Sequence, residues 1–331
     1  MTRNIVINGR FLSRPITGVE RYGREITRSF RDSYRVERTQ VNGLAGHAWE
    51  QFILPTKVKS KSILWSPANT GPLWMHNQAM TVHDLSPLEH PEWFKTSFAA
   101  WYRLFLPILI KRALMIFTPS NYVKQRVEMR FGIRNVITAP NGVDTSRFYP
   151  NARQSTYNLP ENYILFVGTL QPRKNIQTLL EAWHEIKNDF PELWLVIAGD
   201  TGTVFAATQS LNVERVRLLG YASEDDLAGI YAKATLFVLP SFDEGFGLPA
   251  LEAMACGVPV IVSNGGALPE TVGDAAKIFR IKEKNGLTRV LRECLENDEL
   301  RLSLASKGLE RVKLFTWQKS ADLIWKILNE I

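Results

Sequence analysis

Two carboxylates, Glu244 and Glu252, bracket the stretch "EGFGLPALE". The residues before it, "TLFVLPS" (235–241), have the β-branched and aromatic run of a buried strand. Those after it, "LPALEAMACG" (248–257), have the pattern of a short helix, with Pro249 in its first turn and Gly257 at its end. Gly245 and Gly247 let the backbone approach a ligand and adopt positive φ. N–H groups around Gly247 and Leu248 would be free at the helix start, and with the helix dipole they suit a diphosphate. Glu252, about one turn into the helix, can accept hydrogen bonds from ribose hydroxyls. Glu244, before the glycines, would face the group beyond the phosphates, where a polyhydroxyl sugar needs acceptors. A plainer explanation also stands: acids near a helix N-terminus are favoured by about 0.3–1 kcal/mol without any ligand.

A second stretch, "VGTLQPRKN" (167–175), sets Arg173 and Lys174 side by side at a strand-to-helix turn. Two such cations can neutralise a diphosphate and stabilise it as a leaving group. Alternatively they are two solvated charges on an exposed turn. "RPITGVERY" (14–22) opens a further helix at Gly18 and offers more N–H donors. His83 ends an apolar run and precedes Asp84, a place open to a structural or a ligand-facing histidine.

The elements that must position these residues alternate. In the second half "YILFVG" (163–168), "LWLVIAG" (193–199), "TLFVLPS" and "VPVIVS" (258–263) have the pattern of buried strands. Helical spacing runs through 175–190 and 223–234, the latter opening on Ser223 with Asp226 three places on. In the first half strands are expected at 4–8, 79–85, 114–120 and 135–140, and helices at 17–30 and 121–132. Strands alternating with helices imply parallel sheets covered on both faces. Periodicity disappears over 141–162, which marks a domain boundary. The expected domains are 1–155 and 156–315, with a last helix at 316–331 that either finishes the second domain or packs back on the first.

The chain of 331 residues is 45% hydrophobic and 22% charged, the composition of a globular protein. Its two cysteines, Cys256 and Cys294, cannot make a disulfide framework, which points to a reducing compartment. No secretory signal is visible, because Asn8, Gly9 and Arg10 break the first apolar run. The apolar stretch 98–117 carries Arg103, Pro107, Lys111 and Arg112. It fits a buried helix and strand, or a surface helix touching lipid head groups, better than a membrane span. Residues 1–150 hold 21 Lys and Arg against 10 Asp and Glu, while residues 151–331 hold 19 against 23. The basic half suggests an anionic partner, a membrane surface or a phospholipid-linked substrate. Nucleic acid, the third anionic partner such a charge balance suggests, is the least favoured and not expected, since the cations are not grouped with an aromatic platform.

Taken together, these motifs resemble glycosyltransferase family 4, with the GT-B fold of two Rossmann-like domains whose parallel sheets face across a cleft. Glu244 and Glu252 occupy the acidic places of the E-x7-E motif. "PRKN" and "CGVPVIVSNGGALPE" strengthen the match, and "TGVERY", "VHDLSPLEHPEWF" and "PNGVDTSRF" resemble a bacterial subgroup rich in mannosyltransferases of O-antigen, lipopolysaccharide and other surface polysaccharides. The resemblance implies that Glu252 binds the donor ribose and Glu244 the donor sugar. It implies that the backbone of Gly247 and Leu248 holds the diphosphate with Lys174 and Arg173, that Gly245 and Phe246 belong to the same donor-binding stretch, that Gly18 approaches the phosphates, that His83 lies beside the transferred sugar and that Tyr221 borders the base. One departure stands out: many members have Gly-Arg where this chain has Gly168-Thr169, and Arg173 would have to compensate.

The implied reaction is a retaining transfer of a hexose, mannose or a related sugar. The donor is a nucleotide diphosphate sugar, GDP-mannose the leading choice. The acceptor is a hydroxyl of a lipid-linked or growing surface glycan. No Asp-x-Asp metal site is visible, and no cofactor beyond the sugar nucleotide is expected. The expected place is the cytoplasm, with peripheral attachment to the inner face of the cell membrane left open. Other GT-B activities (nucleotide-sugar hydrolysis, 2-epimerisation, sucrose-type synthesis) and a non-catalytic nucleotide- or glycan-binding subunit are the alternatives.

Overall fold

Short runs of β-branched and aromatic residues become parallel strands because helices cover both faces of the sheet they form. The computed structural model describes residues 4–14, 16–153, 155–199 and 214–331; Pro15, within "RPITGVERY", lies outside them. Twelve strands fall among the described residues, in two sheets of six. The first sheet holds β1 (Asn4–Asn8), β2 (Arg35–Glu37), β3 (Ser62–Ser66), β4 (Gln78–Thr81), β5 (Met115–Thr118) and β6 (Val136–Thr138), in the order β2-β1-β3-β4-β5-β6. The second holds β7 (Asn162–Val167), β8 (Leu193–Ala198), β9 (Val216–Gly220), β10 (Leu236–Leu239), β11 (Val260–Ser263) and β12 (Lys277–Phe279), in the order β12-β11-β10-β7-β8-β9. Every pairing is parallel.

The chain divides into two compact units, Met1–Gly142 with Thr316–Ile331, and Val143–Phe315. In each, the first strand lies inside its sheet: β1 between β2 and β3, β7 between β8 and β10. The strand order therefore turns back at β1/β3 and at β7/β10. Such a reversal opens a crevice at the carboxyl ends of the strands, where ligands bind in open α/β sheets.

The second unit's core is the central strands themselves. Tyr163, Ile164, Leu165 and Phe166 of β7 and all four residues of β10 are fully buried. In the first unit, helix Gly18–Ser29 and helix Trp317–Glu330 pack together through Tyr22 and Trp317, ring centroids 6.2 Å apart, and through the adjacent Phe30 and Trp325, 5.0 Å apart. Ala321, Ile324 and Leu328 of the last helix are fully buried there.

The apolar stretch 98–117 forms helix Thr96–Arg112 followed by β5. The strand expected at 79–85 stops at Thr81; Val82 N still donates to Phe117 O of β5 at 2.9 Å, and the chain then leaves the sheet in the loop that carries His83. Strands β2, β3, β9 and β12 were not foreseen; β2 and β12 are three-residue edge strands, "RVE" and "KIF", too short to show alternation.

Candidate active site

Beyond β7 the backbone passes Gly168 and makes a single 3-10 turn, Pro172–Lys174. Asn175 ends that turn in the left-handed region, at φ 52°, a conformation asparagine tolerates. Its Nδ2 donates to Pro240 O at 3.0 Å, and its Oδ1 accepts from Thr178 Oγ1 at 2.9 Å. Phe242 N donates to Arg173 O at 2.8 Å. These bonds pin the turn to the chain leaving β10, across the point where the strand order reverses.

The pinned turn delivers both cations to one carboxylate. Lys174 Nζ lies 2.5 Å from Glu244 Oε1, and Arg173 Nη1 lies 3.0 Å from Glu244 Oε2. Ser241 Oγ donates to Glu244 Oε1 at 2.8 Å, and Arg173 Nη1 also donates to Asp243 O at 3.1 Å. Burial by itself would raise the Glu244 carboxyl, but Lys174 and then Arg173 outweigh it and hold it at about 2. The carboxylate is ionised at neutral pH. The turn is thus not the exposed, solvated one that was an option in the sequence: Lys174 is only 7% exposed and Arg173 is half-buried. The left-handed Asn175 folds the turn under the β10 exit, and cations removed from water need a counter-charge.

Gly247 precedes helix Leu248–Ala255 at φ 93°, where any other residue is strained, and a Cβ there would also push the tip of the Leu268 side chain aside. Pro249 has no N–H, and Ala250 N donates to Gly247 O at 3.0 Å. The N–H groups of Gly247 and Leu248 have no acceptor among the described residues, the arrangement that suits an anion. Phe246 differs from its neighbours. Its ring is buried edge-on to Phe315 at 5.6 Å, and its carbonyl accepts from Thr271 Oγ1 at 2.6 Å, so its side chain belongs to the core. Glu252 is buried in the same helix and accepts from Tyr231 Oη at 3.0 Å. Tyr221 is 67% exposed, and its carbonyl accepts from Tyr157 Oη at 3.1 Å.

The first unit gathers the other candidates. Gly18 begins its helix with open space where a Cβ would stand. Four residues on, Tyr22 packs edge-on against His83, centroids 4.7 Å apart. His83 N donates to Asn69 Oδ1 at 2.7 Å. Burial lowers the His83 pKa and keeps the imidazole neutral. Its Nε2 lies 2.7 Å from the carbonyl of Pro67, which can only accept, so Nε2 carries the proton and Nδ1 is the acceptor. At the β1/β3 reversal, Glu50 is fully buried and accepts from Arg10 Nη1, Asn8 Nδ2 and Thr70 Oγ1 at 2.8, 2.7 and 2.8 Å.

The profile of the family described as "Glycosyl transferases group 1" matches residues 150–311, and that of "Glycosyltransferase Family 4" matches residues 66–147. The chain belongs to the family 4 glycosyltransferases. It is similar to the O-antigen chain mannosyltransferase B of Escherichia coli, 33% identical over 256 residues that cover 72% of this chain and 66% of that one. It is also similar to the O-antigen chain mannosyltransferase RfbU of Salmonella typhimurium, 30% identical over 225 residues, 65% of this chain and 60% of that one. The matched segment thus spans less than two thirds of either relative's length. Among solved structures, sucrose-phosphate synthase from Thermosynechococcus elongatus superposes with a TM-score of 0.79 at 21% identity, covering 99% of this chain and 98% of that one. Anabaena HepE in complex with UDP-glucose superposes with 0.77 at 17% identity, each chain covered in full. The glycosyltransferase therefore has the GT-B fold.

Several residues of this glycosyltransferase that shape the site carry no sequence signal of their own. Tyr231 stands inside an ordinary helical pattern, and Ser241 ends a strand. Gly265 and Gly266 lie in the "SNGGALPE" stretch, and their part becomes visible only in three dimensions: a Cβ on either would overlap the backbone of the Ser241–Glu244 loop. Ala267 N then donates to Glu244 O at 2.8 Å. The glycine pair lets one loop lie directly on the other. Among the described residues no group of three or more His, Cys, Asp or Glu could hold a metal ion, and no helix is long and apolar enough to cross a membrane.

Proposed function

We propose that the chain transfers a hexose from a nucleoside diphosphate sugar to a hydroxyl of a lipid-linked or growing surface glycan. The observation that carries this is the pairing of two desolvated cations, Arg173 and Lys174, with the open amides of Gly247 and Leu248 at the second unit's strand-order reversal. In the proposed reaction the acceptor oxygen bonds to the anomeric carbon as the bond from that carbon to the phosphate oxygen breaks. The departing phosphate oxygen takes the acceptor's proton. Attack and departure on one face retain the configuration. The protein's part is to stabilise charge growing on the leaving diphosphate.

Each residue has a proposed part. Lys174 and Arg173 face the diphosphate with the Gly247 and Leu248 amides, while Gly245 and Phe246 contribute backbone. Glu252, oriented by Tyr231, accepts from the ribose hydroxyls, and Tyr221 borders the base. Glu244 holds the two cations in place, in addition to any contact with the sugar. In the first unit, His83 offers Nδ1 to a sugar hydroxyl, and Gly18 offers amides to a phosphate. No metal is assigned a part. The likeness to two O-antigen mannosyltransferases favours mannose, for which GDP is the proposed carrier, while HepE is a neighbour solved with UDP-glucose.

Thermal unfolding with GDP, UDP and dTDP, then with their sugars, tests the donor. One nucleotide should raise the midpoint well above the others, since a ligand at 100 times its Kd stabilises by about 2.7 kcal/mol. Transfer to a lipid-linked acceptor with that donor should follow. Rapid nucleotide release from the donor alone, undiminished by any acceptor, would replace transfer with hydrolysis. Nucleotide binding with no turnover on any acceptor would make the chain a binding subunit.

A further inference from the structure

We infer that the outward face of helix Thr96–Arg112 in the first unit is a docking surface for an anionic lipid bilayer. A helix on the surface of a water-soluble domain ordinarily turns a polar face outward. This one does not. Its inward face is apolar as expected, with Ala99, Tyr102, Leu106, Leu109 and Ile110 buried. The opposite stripe is Ala100, Leu104, Ile108 and Lys111, spaced so that all four lie along one side, and every one is exposed. Leu104 is 60% exposed and Ile108 40%. Arg103 flanks the stripe on one side and Arg112 on the other, and the helix contains no Asp or Glu.

The neighbouring loop extends the surface. Arg112 Nη1 donates to Leu73 O at 2.9 Å, and its guanidinium stacks over the Trp74 ring at 5.4 Å. Trp74 is 72% exposed. An exposed tryptophan stacked on Arg112, with leucine and isoleucine exposed along the same helix between cations on long stems, is the make-up of a segment lying in the head-group region. The apolar groups enter the acyl boundary, while Lys and Arg reach phosphates. Charge complementarity decides the occupant. Arg103, Lys111 and Arg112 are answered by no acid on the helix, and an anionic bilayer supplies the missing charge. A second copy packed on the same stripe would instead bring the same three cations from each partner together.

The inference is independent of the transfer reaction, because docking is measured with neither donor nor acceptor. The full chain is sedimented with vesicles of phosphatidylcholine alone and of phosphatidylcholine mixed with phosphatidylglycerol. Binding should favour the anionic vesicles and weaken as salt rises. Lys111→Gln should lower the partition coefficient about fivefold, the equivalent of about 1 kcal/mol for one basic residue near the surface. Leu104→Glu with Ile108→Glu should lower it at least about tenfold, since two apolar side chains leave the acyl boundary and like charge enters. Both positions are exposed, so the thermal midpoint should not fall. Equal binding to the two vesicle types, or undiminished binding by the Leu104/Ile108 variant, would overturn the inference. So would a dimer in light scattering that the same variant converts to monomer, which would give the face to a second copy.

Discussion

Replacing Lys174 with methionine keeps much of the side chain's length and removes its charge. Among the described residues, Glu244 would then be left buried with Arg173 and Ser241 to answer it. Breaking one side of a buried ion pair costs about 3–5 kcal/mol. Lys174→Met is therefore expected to destabilise the protein, unlike the change of a solvated cation. Adding Glu244→Gln removes the stranded charge and should restore most of the loss in urea unfolding. Turnover should stay at least about tenfold down in both, as one charge-assisted contact to the diphosphate is worth about 1.5–3 kcal/mol. If the double variant is no more stable than Lys174→Met, Glu244 is not the counter-ion that the geometry describes. Acid titration tests the same pair. The folded Glu244 carboxyl sits at about 2, below its ordinary value of 4.5. Its contribution is complete above about 4.5 and is lost as pH falls through about 2, so Glu244→Gln should flatten that part of the stability profile.

At the scale of elements, two glycines with similar positive φ separate conformation from contact. Gly132 ends a helix at φ 66° with nothing within 4 Å of an added Cβ. Gly266 has φ 62°, but there a Cβ would meet the backbone of Glu244. Gly132→Ala should cost about 1 kcal/mol, the penalty of the left-handed region alone. Gly266→Ala should cost at least about 2 kcal/mol and also reduce turnover, because it displaces the loop that carries Glu244. Equal effects of the two changes on turnover would show that the glycine pair does not position the acidic loop. The sequence made the strands around this site readable, since β7, β8, β10 and β11 are unbroken apolar runs. Its chemistry was half readable. Arg173, Lys174, Glu244 and Glu252 stand out by type and spacing. That the first three meet depends on a left-handed asparagine and on bonds between residues 70 and 71 places apart, which no local pattern records. The buried Arg10–Glu50 pair was invisible for the same reason.

The whole molecule is discontinuous in sequence: one unit takes both ends of the described chain, and the other is the single stretch Val143–Phe315. That stretch owns both strands of its reversal, its cation pair and its helix start, so expressed alone it should fold cooperatively and bind the nucleotide. The first unit expressed as residues 1–142 should not fold to the same degree. It would leave uncovered the face that Trp317, Ala321, Ile324 and Leu328 bury, with Ile324 and Leu328 each contributing about 1.5–3 kcal/mol. Amide exchange on the two fragments checks this. Stable protection throughout 1–142 without residues 316–331 would mean that the last helix adds little.

The same discontinuity sets a timetable on the ribosome. Residues 1–142 emerge first, but the helix that covers Tyr22 and Phe30 is synthesised only after all of Val143–Phe315. At roughly 5–20 residues per second, that interval lasts about ten to thirty seconds. The stretch that emerges second can complete its core before the one that emerged first. Through that wait the nascent first unit shows an aromatic face, and a chaperone that shields it would speed production of the protein without touching either sheet.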